Sequence, residues 1–292
     1  MKKKSLYIIF LIFIAGCFSF TSGNENQHYP LKKYLTQVNT TERTYSVFEA
    51  SSKEEGKKVV IFFHGSNGSG KSFSHQINFN KLAERENLLI VYPDSKVGNW
   101  AEGCGCNIAD RLQIGDVEFV KVLIEELVQN YSIDTNNIFA IGYSQGGLFV
   151  NRLGCEMAEY FRGLIIVSAS MSVPLSNHCK PNGLIPISII QGTEDNVLNY
   201  NGSNNGSLSL LSAKEAAYFW AVQNKITKEP IISHYLNDSN SGTEIIKYPG
   251  DQSNQFTDVR LVSLIGFGHG WPQTHYFDIN MEILEFVKNE SL

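Results

Sequence analysis

Between residues 142 and 146 the chain reads Gly-Tyr-Ser-Gln-Gly, a serine with a glycine two positions to either side. It follows the apolar run Asn137-Ile138-Phe139-Ala140-Ile141 and opens a helical pattern that starts at Gln145. A chain reversing so tightly strains the serine backbone, and side chains at the two flanking positions would collide unless they were hydrogen. Such a turn lifts Ser144 off the end of a strand. The following helix then aims its first N–H groups and its dipole at negative charge developing there. A serine hydroxyl is a poor nucleophile at neutral pH until a base takes its proton and an acid orients that base. The expected chemistry is therefore acyl transfer, and the other two groups should lie downstream on loops after strands.

Four of the seven histidines follow Ser144: His178, His234, His269 and His275. His269 sits in Gly266-Phe267-Gly268-His269-Gly270-Trp271-Pro272, directly after the strand-like Arg260 to Ile265 and before the last helical segment. That is where the base belongs. His178 lies beside Cys179 in a loop, His234 inside a strand and His275 at a helix start, and each reads as a surface or packing residue. For the acid, Glu194 and Asp195 both follow the core run Ile187 to Gln191. Either carboxylate could serve, and spacing alone does not choose. Trp100, Tyr143, Phe267 and Trp271 lie in or beside these loops and are candidate flat surfaces for a ring-bearing substrate, with core or rim packing as the alternative.

A second motif competes. Gly65 to Ser72, GSNGSGKS, satisfies G-x-x-x-x-G-K-[ST], the phosphate-cradling loop, and the apolar strand Val59 to Phe63 runs into it as that motif requires. The same residues can instead end a strand in His64-Gly65 and present the N–H of Ser66, with that of Gln145, to an oxyanion. The segment after Lys71 is less apolar than a phosphate-loop helix, and Leu88 to Asp94 places Pro93 before its acid, as at a strand end turning into a loop. The oxyanion reading is the one expected, with no nucleotide, cofactor or metal.

These residues need a scaffold. Lys58 to Phe63, Leu88 to Tyr92, Ile138 to Ile141, Gly163 to Ser168, Ile187 to Gln191 and Arg260 to Ile265 are apolar runs suited to strands covered on both faces. Helical patterns alternate with them at Phe73 to Glu86, Asp116 to Gln129, Gln145 to Tyr160, Ala213 to Asn224 and Phe277 to Lys288; Arg43 to Ala50 alternates like an edge strand. This alternation predicts a single α/β domain, a mostly parallel central sheet with helices on both faces.

The chain begins Met1-Lys2-Lys3-Lys4, continues with an uncharged apolar run from Leu6 to Ala15 and reaches Gly16-Cys17. This is the pattern of a secretory signal over residues 1–16, and Ile14-Ala15-Gly16-Cys17 has the form of a bacterial lipobox that would make Cys17 a lipid anchor. Residues 17–40 are expected to form a flexible tether and residues 41–292 the catalytic domain, periplasmic or at the cell surface. The formal charge is −5, and loss of the three leading lysines takes it to −8. So acidic a surface repels nucleic acid. With 42% hydrophobic and 18% charged residues the chain is globular. Cys104, Cys106, Cys155 and Cys179 form an even set suited to disulfides in an exported protein, with three possible connectivities. A zinc site at Cys104 and Cys106 lacks further ligands at a suitable spacing.

The elements "HG" after a buried strand, "YPDSKVGNW", "GYSQGG", "QGTEDNV", "YNG" near 200–202 and "GHGWP" together resemble the polyhydroxybutyrate depolymerase and feruloyl esterase branch of the α/β-hydrolases, akin to carbohydrate esterase family 1. The resemblance runs from about Lys57 to the last helix. It implies an α/β-hydrolase domain with Ser144 as nucleophile, His269 as base and Asp195 as acid. It also implies a Cys155 to Cys179 pair, which leaves Cys104 and Cys106 to pair with each other although the resemblance gives them no role. The implied activity is hydrolysis of carboxylic esters, either feruloyl or acetyl esters on plant polysaccharide or, alternatively, hydroxybutyrate oligomers. A glycan-binding surface lipoprotein that has kept the fold without the chemistry is the rival reading.

Overall fold

The computed structural model describes residues 29–204, 208–236, 241–250 and 257–288. The expected signal segment and Cys17 lie outside the described residues. In chain order the strands are β1 (Lys32–Val38), β2 (Thr41–Glu49), β3 (Lys57–Phe63), β4 (Leu89–Pro93), β5 (Ile133–Tyr143), β6 (Gly163–Val167), β7 (Ile187–Gly192), β8 (Ile231–Leu236), β9 (Gly242–Tyr248) and β10 (Val259–Ile265). The helices are α1 (Gly70–Ile77), α2 (Asn80–Arg85), α3 (Ile108–Arg111), α4 (Asp116–Asn130), α5 (Gln145–Glu156), α6 (Val173–His178), α7 (Ala213–Gln223) and α8 (Ile279–Lys288).

The strands form one sheet in the order β1-β2-β4-β3-β5-β6-β7-β10-β9-β8. From β4 through β10 the pairings are parallel, and two antiparallel strands finish each edge. Burial on both faces explains the continuous apolar runs. Along β3, Val59, Ile61 and Phe63 join a core with Phe119 and Leu123 of α4, Phe149 of α5 and Trp220 of α7. Val60 and Phe62 join the opposite core with Phe73 and Ile77 of α1 and Ile283 of α8. Among the described residues no helix is long and apolar enough to cross a membrane.

Three expectations are corrected at the N-terminal side. Residues 32–38, expected within the tether, form β1, paired antiparallel with β2. Tyr34 stacks on Tyr45 with centroids 5.1 Å apart, and its hydroxyl meets that of Tyr131 at the end of α4. Consequently β2 is internal to the sheet and not an edge. The helix expected over Phe73 to Glu86 is two helices, because Asn78 adopts a left-handed conformation (φ 48°) that closes α1 before α2 begins. Asparagine tolerates that conformation, and its N–H closes the last turn by donating to the Ser74 carbonyl.

Candidate active site

The parallel strands deliver their C-terminal loops to one end of the sheet. Ser144 sits at the junction of β5 and α5 with φ 54° and ψ −122°, a conformation costly for any residue with a Cβ. The flanking glycines make it attainable. A Cβ on Gly142 would lie 2.2 Å from the Gly146 carbonyl oxygen, and one on Gly146 would lie 2.3 Å from that of Phe63. The Ser144 N–H donates to the Val167 carbonyl at 2.9 Å, fixing the turn to β6.

His269 Nε2 lies 3.0 Å from Ser144 Oγ, and its Nδ1 lies 2.8 Å from Asp195 Oδ2. Of the two adjacent carboxylates, Asp195 is buried and Glu194 is exposed. The other oxygen of Asp195 accepts the backbone N–H groups of Val197 and Leu198, each at 3.0 Å. These bonds fix the rotamer of the carboxylate. With the acid accepting at Nδ1, the proton of a neutral imidazole resides there, and Nε2 is free to accept the serine proton. His178, His234 and His275 are exposed and stand apart from this chain of hydrogen bonds.

The loop carrying His269 is pinned from below. A Cβ on Gly192 would meet the Phe267 carbonyl oxygen at 2.1 Å, so the loop rests directly on the end of β7. Thr193 Oγ1 accepts from the Gly266 N–H at 3.0 Å, and Ser168 Oγ donates to the Gly270 carbonyl at 2.6 Å. Neither Ser168 nor Thr193 stands out in the sequence; a hydroxyl residue directly after a core strand is the only signal either leaves.

The glycine-rich loop after β3 arrives from the other side. Gly65 packs so closely that a Cβ there would lie 3.2 Å from the Tyr143 ring and 3.3 Å from Ser144 Cβ. His64 is buried beneath the loop. Its Nδ1 donates to the Gly65 carbonyl at 2.7 Å, and its Nε2 accepts from the Ser95 N–H at 3.2 Å. Burial lowers its pKa, outweighing the bond to Gly65 and the charge of Asp94, so this ring is a neutral strut. In the sequence His64 reads only as the end of a buried strand, and its part as a strut depends on the Ser95 and Gly65 contacts that composition does not record.

Most N–H groups of the phosphate-loop pattern are already engaged. That of Asn67 donates to Gly98, that of Gly68 to Gly65, that of Gly70 to the Asp94 carboxylate at 2.7 Å and that of Ser72 to Ser69 Oγ. The acid after Pro93 thus sits where a phosphate would, and Lys71 is exposed. Among the described residues no acceptor engages the backbone N–H of Ser66 or of Gln145, the two donors expected to face an oxyanion.

The aromatic candidates separate. Tyr143 and Trp271 are half-buried beside the histidine, with the Tyr143 ring 5.6 Å from that of His269 and 6.1 Å from that of Trp271. Burial raises the Tyr143 pKa, and the nearby Asp195 charge adds to it. Trp100 was expected at the substrate surface; that expectation is corrected, because it is wholly buried, its ring stacked on Phe149 with centroids 5.3 Å apart.

Two disulfides join Cys155 to Cys179 and Cys104 to Cys106. The first links the end of α5 to the end of α6. Glu102 lies with Cys104 and Cys106 in a cluster spanning 4.8 Å, but the bond between the two sulfurs removes both thiolates as metal ligands.

The profile of the phospholipase/carboxylesterase family matches residues 115–224. Feruloyl esterase B of Piromyces equi is 28% identical over 192 residues, covering 61% of this chain and 34% of its own length. A poly(3-hydroxybutyrate) depolymerase of Ralstonia pickettii is 24% identical over 259 residues, covering 76% of this chain and 51% of its own. The chain thus spans a third to a half of the length of these relatives. The structure of an acetyl xylan esterase from Aspergillus awamori superposes with a TM-score of 0.63 at 15% identity, covering 88% of this chain and 98% of that one. Sheet order, serine turn and structural likeness agree: the chain has an α/β-hydrolase fold.

Proposed function

We propose that this protein is an exported serine esterase in which Ser144 attacks an ester carbonyl, His269 moves the proton and Asp195 orients His269. The single observation that carries the reading is the continuous relay from Asp195 through His269 to Ser144 beside two open N–H donors. In the first step Ser144 Oγ bonds to the carbonyl carbon while His269 Nε2 takes its proton. The carbonyl oxygen becomes an oxyanion, received by the N–H groups of Ser66 and Gln145. His269 then protonates the leaving alcohol, and the resulting acyl-enzyme is hydrolysed by a water that His269 deprotonates. A protein that only bound glycans would gain nothing from holding Ser144 in a strained conformation.

The substrate class follows from the relatives named for feruloyl and acetylxylan esters. We assign feruloyl or acetyl esters on plant polysaccharide, with the half-buried Tyr143 and Trp271 offering flat contact to a ring. The similarity to a poly(3-hydroxybutyrate) depolymerase over most of this chain supports hydroxybutyrate oligomers as a second reading. Export rests on the signal-like residues 1–16 and on two disulfides suited to an oxidising compartment, with Cys17 as the proposed lipid attachment site. The catalytic domain is then proposed to begin by Lys32.

The test is hydrolysis of p-nitrophenyl acetate by the wild type and by Ser144→Ala, followed by a panel of methyl ferulate, acetylated xylan and hydroxybutyrate oligomers. Turnover by the folded Ser144→Ala protein within tenfold of wild type refutes the mechanism, since loss of such a nucleophile typically costs about a million-fold. Preference within the panel decides the substrate class.

A further inference from the structure

Trp100 has three polar groups, and all three reach the segments that carry the open donors. Its backbone N–H donates to Gln145 Oε1 at 2.8 Å, and its carbonyl accepts Gln145 Nε2 at 2.6 Å. The Gln145 side chain is therefore locked at both ends of its amide. Across the ring, the indole N–H donates to the His64 carbonyl at 3.0 Å. That carbonyl belongs to the residue immediately before Gly65-Ser66. One residue thus touches Gln145 on one side and the Ser66 loop on the other, although the two segments lie far apart in sequence.

We propose that Trp100 is a positioning residue that holds the two halves of the oxyanion hole in register, an inference that rests on the esterase reading above. Packing alone gives no reason for this arrangement, because a buried indole needs a single acceptor, and the backbone groups of Trp100 could have met any neighbour. The brace is itself anchored to the scaffold. Asn107 Nδ2 adds a second bond to the Trp100 carbonyl at 3.1 Å, and the next N–H, of Ala101, donates to Asp116 Oδ2 at 2.7 Å. Asp116 is buried and paired with Arg43 at 2.6 Å, and the Ala101 carbonyl accepts from Arg152 at 2.8 Å. The ring lies between Phe149 and the edge of Phe63. Fixed in this way, Trp100 transmits one reference frame to both donors. Donors that must meet a developing oxyanion without reorganising need such a frame, since a misplacement of about 1 Å can cost roughly a hundredfold in rate.

Two variants cut the brace at different points. Trp100→Phe keeps an aromatic ring and removes the indole N–H; Gln145→Met keeps side-chain length and removes the amide clamp. Each is assayed on p-nitrophenyl acetate, with thermal unfolding monitored, and titrated with a trifluoromethyl ketone, whose hydrate-like adduct with Ser144 places an oxyanion in the hole. Each variant is expected to lose at least tenfold in kcat with KM within about twofold. Affinity for the ketone should fall in parallel, while the folded fraction at the assay temperature stays unchanged. The double variant should lose less than the product of the two single losses, because both cut one connection. Full kcat and full ketone affinity in a folded Gln145→Met protein overturn the proposal, and that variant carries the test if Trp100→Phe fails to fold. Losses confined to KM, or a Gln145→Met loss matched by loss of folded protein, overturn it too. Failure of the esterase reading itself is distinguished by a wild type whose activity does not depend on Ser144.

Discussion

Glu102 offers a prediction whose size follows from its surroundings. The side chain is buried, accepts the Ser172 hydroxyl at 2.8 Å and lies near Asp110 and Arg152. Burial pushes its carboxyl up to about 7 from the usual 4.5, and the Asp110 charge adds to this, while the Ser172 bond and Arg152 pull against it. In the unfolded chain the group ionises near its ordinary value, so between those two pH values the folded protein holds the extra proton. Stability contributed by this group therefore falls as pH rises from 4.5 to 7 and is fully lost above 7. At about 1.4 kcal/mol per unit, the shift corresponds to roughly 3 kcal/mol. Glu102→Gln keeps the size of the side chain and an oxygen for Ser172, and it cannot ionise. The variant should match the wild type within about 1 kcal/mol at pH 5 and exceed it by up to about 3 kcal/mol at pH 8, a shift of roughly 1 M in the urea midpoint. Urea unfolding of both proteins at both pH values measures this directly. Asp116 and Glu282, whose pKa values burial also raises, are common to both proteins and cancel in the comparison. Equal changes between pH 5 and pH 8 in the two proteins would refute the reasoning.

Other expectations are read on the same protein. Asp195→Asn should lower kcat by about ten-thousandfold by favouring the wrong histidine tautomer, while Glu194→Gln, at an exposed site, should leave it nearly unchanged; steady-state kinetics of the pair locates the acid. Replacing Cys155 and Cys179 together by alanine opens a loop between residues 24 apart and should cost about 3.4 kcal/mol, or roughly 7–14 °C in melting temperature. Opening the Cys104 to Cys106 bond, across a separation of 2, should cost only roughly 1 kcal/mol, so calorimetry ranks the two bonds. Lys71→Ala should keep ester hydrolysis within a few-fold, and titration calorimetry should detect no ATP binding to the wild type; micromolar binding would reinstate the phosphate-loop reading.

The parts of the fold that could be read in advance are those where burial leaves a periodic mark. Strands β3, β4, β6, β7 and β10 are covered on both faces and so carry continuous apolar runs. Strand β1, Lys-Lys-Tyr-Leu-Thr-Gln-Val, buries only Thr36 and Val38, half-buries Tyr34 and exposes the rest, so its composition resembles that of a tether. That Ser144 and His269 come together was legible because a tight strand-to-helix turn and a glycine-rich loop after a core strand constrain composition locally. The choice between Glu194 and Asp195 was not, because neighbouring carboxylates differ only in which one the turn directs inward. That turn is set by the Asp195 N–H reaching the Gly192 carbonyl and the Glu194 N–H reaching Phe267, 73 residues away in sequence. Trp100 was misplaced for a related reason. An indole in a glycine-rich loop carries no sign of burial until the partners on Gln145 and His64 are known.

The same distinction bears on the loop after β3, which satisfies a phosphate-binding pattern while most of its N–H groups are engaged within the protein. Both devices require a strand, glycines that let backbones approach, and a helix start, and the pattern records only those local demands. What differs is which N–H groups remain open once the chain has folded. In a phosphate cradle, successive N–H groups of one loop converge on a single point. Here Asn67, Gly68, Gly70 and Ser72 are engaged within the protein, the Asp94 carboxylate already occupies the start of α1, and the N–H groups of Ser66 and Gln145, for which no acceptor is found among the described residues, lie on two different segments. A pair drawn from two segments can meet over a single oxygen beside Ser144 only if a third element fixes their separation. Trp100, bonded to both segments, is the residue in a position to do so.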